Sequence, residues 1–450
     1  MTQHIPNIDQ QKQIREDAWE YYRRHIDAEG FETTTDLFGV EVELSIVDHL
    51  GRLAVGQTEK ICNVLKDLPI VPEFGSYQIE INPPPLAICR DSFEKLPATL
   101  DSIAGEMNKV AAANGASLLP IGIPPYLDAK LLTGWDIYSE GERFQHSAEY
   151  FKNNGGANLC AQDGTKLFLP GDAAVTVVNE LHVQMQARNR DDAVSLFNAL
   201  ASLTAPMAAL GANSGACNGS ALEDKDNQIR LYEECEKIFD GKPGVPRTGL
   251  FPGYIRDIQD YFDIAFSFTP WTYPENPSLA AAFELLSGIY YGWTRLRHGT
   301  EPTPHLRIEF RPLSVQPTMI ENIALAELLV YWARYLVDHN QLPVAEADLR
   351  SNLDAAVRDG LEANLLWDHG DGPQSQTVIE IVEKTLKHLP PLVHEELILA
   401  RLEQRQTPAD RFRHDMSAYG TDEAYRRYMR SFTSSIPYIE RHDRTPLCID

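Results

Sequence analysis

The side chains able to do chemistry in this chain fall at alternate positions in four short segments, Phe38–Val47, Tyr77–Asn82, Val178–Gln186 and Leu306–Arg311. Alternate side chains of a β-strand share a face. Glu41 and Glu43 therefore point away from Val40, Val42 and Leu44, and Gln78, Glu80 and Asn82 point away from Tyr77, Ile79 and Ile81. Glu180, His182, Gln184 and Gln186 oppose Leu181, Val183 and Met185, while Arg307, Glu309 and Arg311 oppose Leu306, Ile308 and Phe310. Placed in one sheet, these strands make a polar face of carboxylates, amides, a histidine and two arginines, with neither lysine nor threonine. A solvated face is normally richer in lysine, threonine and serine. The composition suits divalent cations and phosphates, although any one strand alone also fits a half-exposed antiparallel strand.

Two carboxylates two residues apart cannot share a cramped site without a cation, because like charges repel in a low dielectric. Oxygen ligands suit Mg²⁺ or Mn²⁺, and one imidazole is compatible with Mn²⁺. Glu73 and Glu80 add two acids, and a turn at Gly75 brings Glu73 back towards its strand. Arg307 and Arg311 on either side of Glu309 suit charge neutralisation of a transferring phosphoryl group; a surface salt-bridge ladder is the plain alternative. The chain has neither G-x-G-x-x-G nor a P-loop, so ATP phosphates would be held by metals and arginines.

The formal charge of −25 argues against a nucleic-acid binder, which needs a basic stripe. With 450 residues, 43% of them hydrophobic, the chain is long enough to bury about three quarters of its unfolded surface. Six scattered cysteines without a C-x-x-C pair read as reduced thiols, Cys217 as an inert small residue. The first ten residues lack the pattern of a signal peptide, so a cytoplasmic location is expected and the sequon at Asn218 carries no weight. Ala193 to Leu222 is free of charge but holds Asn198, Ser202, Thr204 and Pro206. It reads as a buried helix running into a loop rather than a membrane span. Nothing marks a protein partner; the partners expected are small molecules, with homo-oligomerisation left open.

The elements that must position these groups follow from periodicity. A charged helix covers residues 9–29, and Asp48–Arg52 turns the first strand into a short hairpin. Phe93, Leu96, Leu100, Ile103 and Met107 predict a helix from Cys89 to Gly115. Residues 120–175 show little periodicity, as a functional loop does, and 243–275 are also loop-rich. Helices are expected after the third strand as far as Gly211–Gly215, over 222–239, and from Ala280 to about Arg295. From Met319 the chain reads as helical, with a break near Gly370–Pro373. The expected fold class is α+β. An N-terminal helix (1–35) precedes a catalytic domain (36–340), with a helical C-terminal extension (341–450) packed on it.

A family resemblance rests on five of these segments in order. The run Phe38-Gly-Val-Glu-Val-Glu-Leu44 resembles the first-strand G-x-E-x-E motif of glutamate–cysteine ligases and related carboxylate–amine ligases. These belong to the wider superfamily of glutamine synthetase-like catalytic domains. Glu73 to Asn82 resembles the second acidic motif, Val178 to Gln184 the histidine strand, and Gly211 to Gly215 the A-N-S-P loop, with glycine in place of proline. His305 to Arg311 resembles the R-x-E-x-R strand.

The resemblance implies a curved antiparallel sheet whose concave face holds ATP, two or three Mg²⁺ ions and an amino-acid carboxylate. It assigns Glu41, His182 and Glu309 to the metal nearest the transferred phosphate, and Glu43, Glu80 and Glu73 to the metal nearest the substrate. Arg307 and Arg311 would bind the γ-phosphate or the substrate carboxylate, with Gln184 and Asn213 as hydrogen-bonding residues. The implied reaction joins glutamate to cysteine or another amine through an acyl phosphate. A metal-dependent γ-glutamyl amide hydrolase and a non-catalytic binding homologue are the rivals.

Overall fold

The computed structural model describes residues 7–439 apart from 28–30, 32, 34–35, 129–131, 133–134, 155, 236–239, 271–276 and 302. Strand β1 (Leu37–Asp48) is long enough to be shared by several partners, and the sheet is built around it. Its antiparallel neighbours are β3 (Gln78–Ile81), β4 (Leu86–Ala87), β5 (Ala116–Leu119) and β6 (Glu180–Gln186). Beyond β3 lies β2 (Ile70–Pro72), and beyond β6 lie β8 (His305–Ser314) and β7 (Thr294–Gly299). The order is thus β7-β8-β6-β1-β3-β2, with β4 and β5 also paired to β1. The antiparallel sheet curls into a half-barrel.

Period-2 alternation decides which face is which. Val40, Val42, Leu44, Ile79, Ile81, Leu181, Val183, Ile308 and Phe310 are all buried on the convex side. Against them pack α2 (Arg90–Ala113), α4 (Arg190–Gly211) and α7 (Met319–Asp338). Phe38 stacks on Phe93 of α2 at 4.4 Å between ring centroids. Helix α4 is long and apolar enough to cross a membrane, but it is buried in the protein interior. The uncharged run beginning at Ala193 is core, as its polar interruptions suggested: Asn198 caps backbone at Ile255 with both ends of its amide.

The N-terminal helix α1 (Ile8–Tyr22) opens with an Asn7 capping box and continues as a wider π-type turn over Arg23–Asp27. Its Trp19 and Tyr21 pack on Phe266 and Phe283. At the other end, α8 (Pro408–Tyr419) and α9 (Thr421–Thr433) cover the Gly211–Gly215 loop. Ala409 N–H donates to the Ala212 carbonyl at 3.1 Å, and Arg413 donates to the carbonyl of Gly215 at 2.7 Å. A Cβ on Gly215 would lie 2.9 Å from the Ala409 side chain, so this close approach requires glycine.

Several elements differ from expectation. The stretch 120–175 is not irregular throughout: it contains α3 (Glu142–Asn154), a hairpin of Gly156–Cys160 with Lys166–Pro170, and the short helix Gly171–Val175. The apolar stripe of α3 is only Phe144, Ala148 and Phe151, too short for its period to stand out. Residues 243–275 include a helix, Ile258–Ala265, capped by Asp257. The helix expected over 222–239 spans Asn227–Cys235 and is named α5 here; residues 236–239 lie outside the described residues.

The helix expected from Ala280 to about Arg295 ends early. It is α6 (Leu279–Gly288), and the chain then becomes extended, with Thr294–Gly299 pairing to β8. Tyr290, Tyr291, Trp293 and Thr294 are strand formers, and Gly288 and Gly292 stop the helix from running through them. The break near Gly370–Pro373 is the turn of a hairpin joining Asn364–Trp367 to Gln374–Thr377.

Candidate active site

Register brings the polar side chains of the concave face into rows. Glu43 stands directly opposite Glu80, and Glu41 directly opposite His182. Gln184 faces Glu309, which on its other side faces Arg295. These residues, with Glu73, Glu180, Arg297, Arg307 and Arg311, line a cavity of ≈ 850 Å³.

Three groups of side chains there place one ligand atom each within 4.8 Å of one another: Glu41–His182–Glu309, Glu43–Glu73–Glu80 and Glu43–Glu180–His182. The first set offers two carboxylates and an imidazole, the second only oxygen. Glu73 reaches its group because β2 runs antiparallel to β3, with a tight turn at Gly75 between them. Burial and the facing charges of Glu73, Glu180 and Glu41 hold the carboxyls of Glu43 and Glu80 well above the ordinary range.

Like charges directly opposite in a sheet repel, and a divalent cation reverses that penalty. The donor sets therefore fit Mg²⁺ or Mn²⁺. Mg²⁺ or Mn²⁺ is expected to raise the thermal midpoint of the protein by mass action. Glu80→Gln should raise the metal-free midpoint, by the equivalent of ~1 kcal/mol, and remove most of the response to metal. An unchanged response in a thermal-shift titration would take Glu80 out of the cation site.

His182 is held from both sides. Its Nδ1 lies 2.9 Å from Glu41 Oε2 and its Nε2 lies 2.7 Å from Glu180 Oε2. Burial and Arg311 work against its charge, yet the bonds to Glu180 and Glu41 win and push the imidazole well above its ordinary value. Binding a metal through that ring would release a proton.

Glu309 is the inverse case. Burial alone would raise its carboxyl, but Arg295, Arg311 and Arg297 hold it well below the ordinary range. Arg311 donates to Glu309 and to Glu180, each at 2.9 Å. Arg295 reaches Glu309 at 3.3 Å. Arg297 stands opposite Arg307, and burial together with Arg295 lowers its guanidinium to about 10. Arg307 donates through Nε to Gln184, and Gln184 donates in turn to Glu41.

Nine of the ten residues picked from the sequence thus meet in one cavity: Glu41, Glu43, Glu73, Glu80, His182, Gln184, Arg307, Glu309 and Arg311. Asn213 does not. It is buried behind the sheet, where its amide donates to the carbonyl of Val315 and to the Tyr428 hydroxyl, each at 2.6 Å. In the structure it ties the Gly211–Gly215 loop to α9, outside the cavity lining.

Arg295 and Arg297 also enter the site, from a segment whose sequence reads as a helix end; the aromatic run before them is the signal for a strand. Glu180 was on the correct face, yet only register shows that it links His182 to Arg311. The far wall is apolar and aromatic, with Phe144 and Phe151 from α3, Leu285 and Ile289 from the α6 segment, and Phe74.

Comparison of sequence with curated proteins finds no match. Among solved structures, the glutamate–cysteine ligase (gshA) from Francisella tularensis in complex with AMP is similar over 93% of this chain and 91% of its own. The TM-score is 0.55 at 13% identity. A bifunctional glutathione synthetase from Pasteurella multocida covers 96% of this chain and 55% of its own length, at 12% identity and a TM-score of 0.49. The half-barrel sheet with flanking helices is a fold shared with the Francisella ligase. The profile of glutamate-cysteine ligase family 2 (GCS2) matches residues 37–406, a span that includes every cavity carboxylate and arginine named above. The chain belongs to glutamate-cysteine ligase family 2.

Proposed function

We propose that the protein is an ATP- and Mg²⁺-dependent carboxylate–amine ligase that forms an amide through an acyl phosphate, with glutamate as the carboxylate and cysteine or another amine as the nucleophile. The observation that carries this reading is the meeting of two carboxylate clusters with four arginines on one concave face. A cavity of ≈ 850 Å³ is within the range that takes a nucleotide-sized ligand. The bound AMP of the Francisella ligase adds support from a protein of the same fold.

Glu41, His182 and Glu309 would hold one divalent cation, and Glu43, Glu73 and Glu80 another. When bound, such cations neutralise charge on the transferring phosphoryl group. The protein's own part is positioning and electrostatics. Arg311, fixed between Glu180 and Glu309, presents a static positive charge at the centre of the sheet. Arg307 and Arg297, towards the β7–β8 edge, would donate to the remaining anionic oxygens of phosphate or carboxylate. The substrate carboxylate attacks the γ-phosphorus, ADP leaves, and the amine then displaces phosphate from the acyl carbon. The aromatic wall limits the access of water to the acyl phosphate.

The test is ADP release with Mg²⁺, ATP and glutamate, across cysteine, serine, alanine and ethylamine. Release that depends on the amine is expected. Metal-dependent cleavage of a γ-glutamyl amide without nucleotide would replace the ligase reading with the hydrolase.

A further inference from the structure

Amide formation requires a group that takes a proton from the incoming amine, since an ammonium ion carries no lone pair to attack with. The sheet has none to spare. Glu41 is bonded to His182 and Gln184, Glu180 to His182 and Arg311, and Glu309 to Arg295 and Arg311. Glu43, Glu73 and Glu80 form the all-oxygen cluster, and His182 is engaged at both ring nitrogens.

Across the cavity, α3 contributes His146, half-buried and, among the described residues, without a hydrogen-bond or ion-pair partner. Its helix is fixed in place: Phe144 and Phe151 meet the ring of Phe74 edge-on at 5.8 and 6.3 Å between centroids. Phe74 directly follows Glu73, so the packing sets α3 over the Glu43–Glu73–Glu80 end of the cavity. In the ligase reading, that end receives the substrate. Among the described residues, the carboxylate on this wall, Glu284 of α6, is exposed.

Resting on the ligase reading, we infer that His146 is the proton acceptor for the amine. Imidazole is the side chain best suited to this near neutral pH. One ammonium proton passes to an imidazole nitrogen, and the freed lone pair forms the C–N bond to the acyl carbon. The bond from that carbon to the phosphate oxygen breaks, its electrons leave with phosphate, and the second nitrogen proton departs with it. The products are the amide, hydrogen phosphate and the imidazolium.

The experiment compares His146→Gln with the unsubstituted enzyme, using the most active amine of the panel and then hydroxylamine, whose nitrogen is already unprotonated at neutral pH. For the amine, kcat should fall about 100-fold with KM changed less than about threefold, and the ratio of hydroxylamine to amine turnover should rise about 50-fold. Equal losses with the two nucleophiles, or no loss, overturn the assignment of His146 and leave the ligase intact. The same selective loss in Glu284→Gln, with His146→Gln unaffected, also overturns it. An unsubstituted enzyme that releases ADP with neither nucleophile overturns the ligase reading and the proton transfer together.

Discussion

Glu41→Gln should lose at least ~10³-fold of its amine-dependent ADP formation while remaining folded. The substitution is isosteric, and Glu41 lies at the edge of the cavity with a side chain 16% exposed. The glutamine carbonyl can still accept from Gln184 and Asn82, so two of the three bonds that Glu41 makes survive. What disappears is the negative charge facing His182 and, in the proposed site, one anionic ligand of the cation at the transferred phosphate. The stability cost should be ~1 kcal/mol, the scale of one lost hydrogen bond. ADP release read beside urea denaturation separates the two effects. Near-normal turnover would remove Glu41 from the metal site, and an unfolded variant would show a structural role that its exposure does not suggest.

Glu309→Gln should lose activity as completely, but here the fold also suffers. Glu309 is 5% exposed and lies between two buried guanidiniums. Removing one partner of a buried ion pair typically costs roughly 3–5 kcal/mol, because the remaining charge is left uncompensated. Arg311 keeps Glu180 and Arg295 keeps the carbonyls of Ser287 and Gly288, which places the expected loss near ~3 kcal/mol.

The pH dependence follows from the depressed carboxyl. A group whose folded pKa lies below its unfolded value contributes stability above the unfolded value and loses it as pH falls through the folded one. The gap between Glu309→Gln and the unsubstituted protein should therefore be full at pH 7 and start to close below the unfolded value of 4.5. Urea denaturation of both at pH 7 and about pH 3.5 checks this. A gap that does not change with pH would mean that shape, rather than charge, carries the loss.

These two residues show how unevenly the site was legible. Both stood out as carboxylates on the polar face of a strand, because the alternation of side chains along a strand is covalent geometry and needs no tertiary contact. Their difference in stability cost was invisible. It depends on Arg295, which pairs with Glu309 only through the register of β7 on β8. That strand was hidden by the apolar run of α6 before it, where helix and strand patterns merge. The motif around Asn213 shows a different limit. The family resemblance implied a hydrogen-bonding role there, and only the fold shows that the loop is buried under α8 and α9, more than 190 residues later in the chain.

The four polar strand faces, the uncharged core helix and, through five segments in order, the family can be read from the sequence without any tertiary contact. Each depends on spacing within a few residues or on the linear order of motifs. Tertiary structure alone decided that Glu43 meets Glu80, that His182 spans Glu41 and Glu180, that Arg295 and Arg297 enter the site, and that α3 sets His146 across from the carboxylates. These depend on pairing between segments 14 to 141 residues apart along the chain, from Arg295 with Glu309 to Glu41 with His182. Such pairings are fixed only when the apolar faces of the whole sheet are buried together, since a slip of one residue would turn every one of these side chains to the other face.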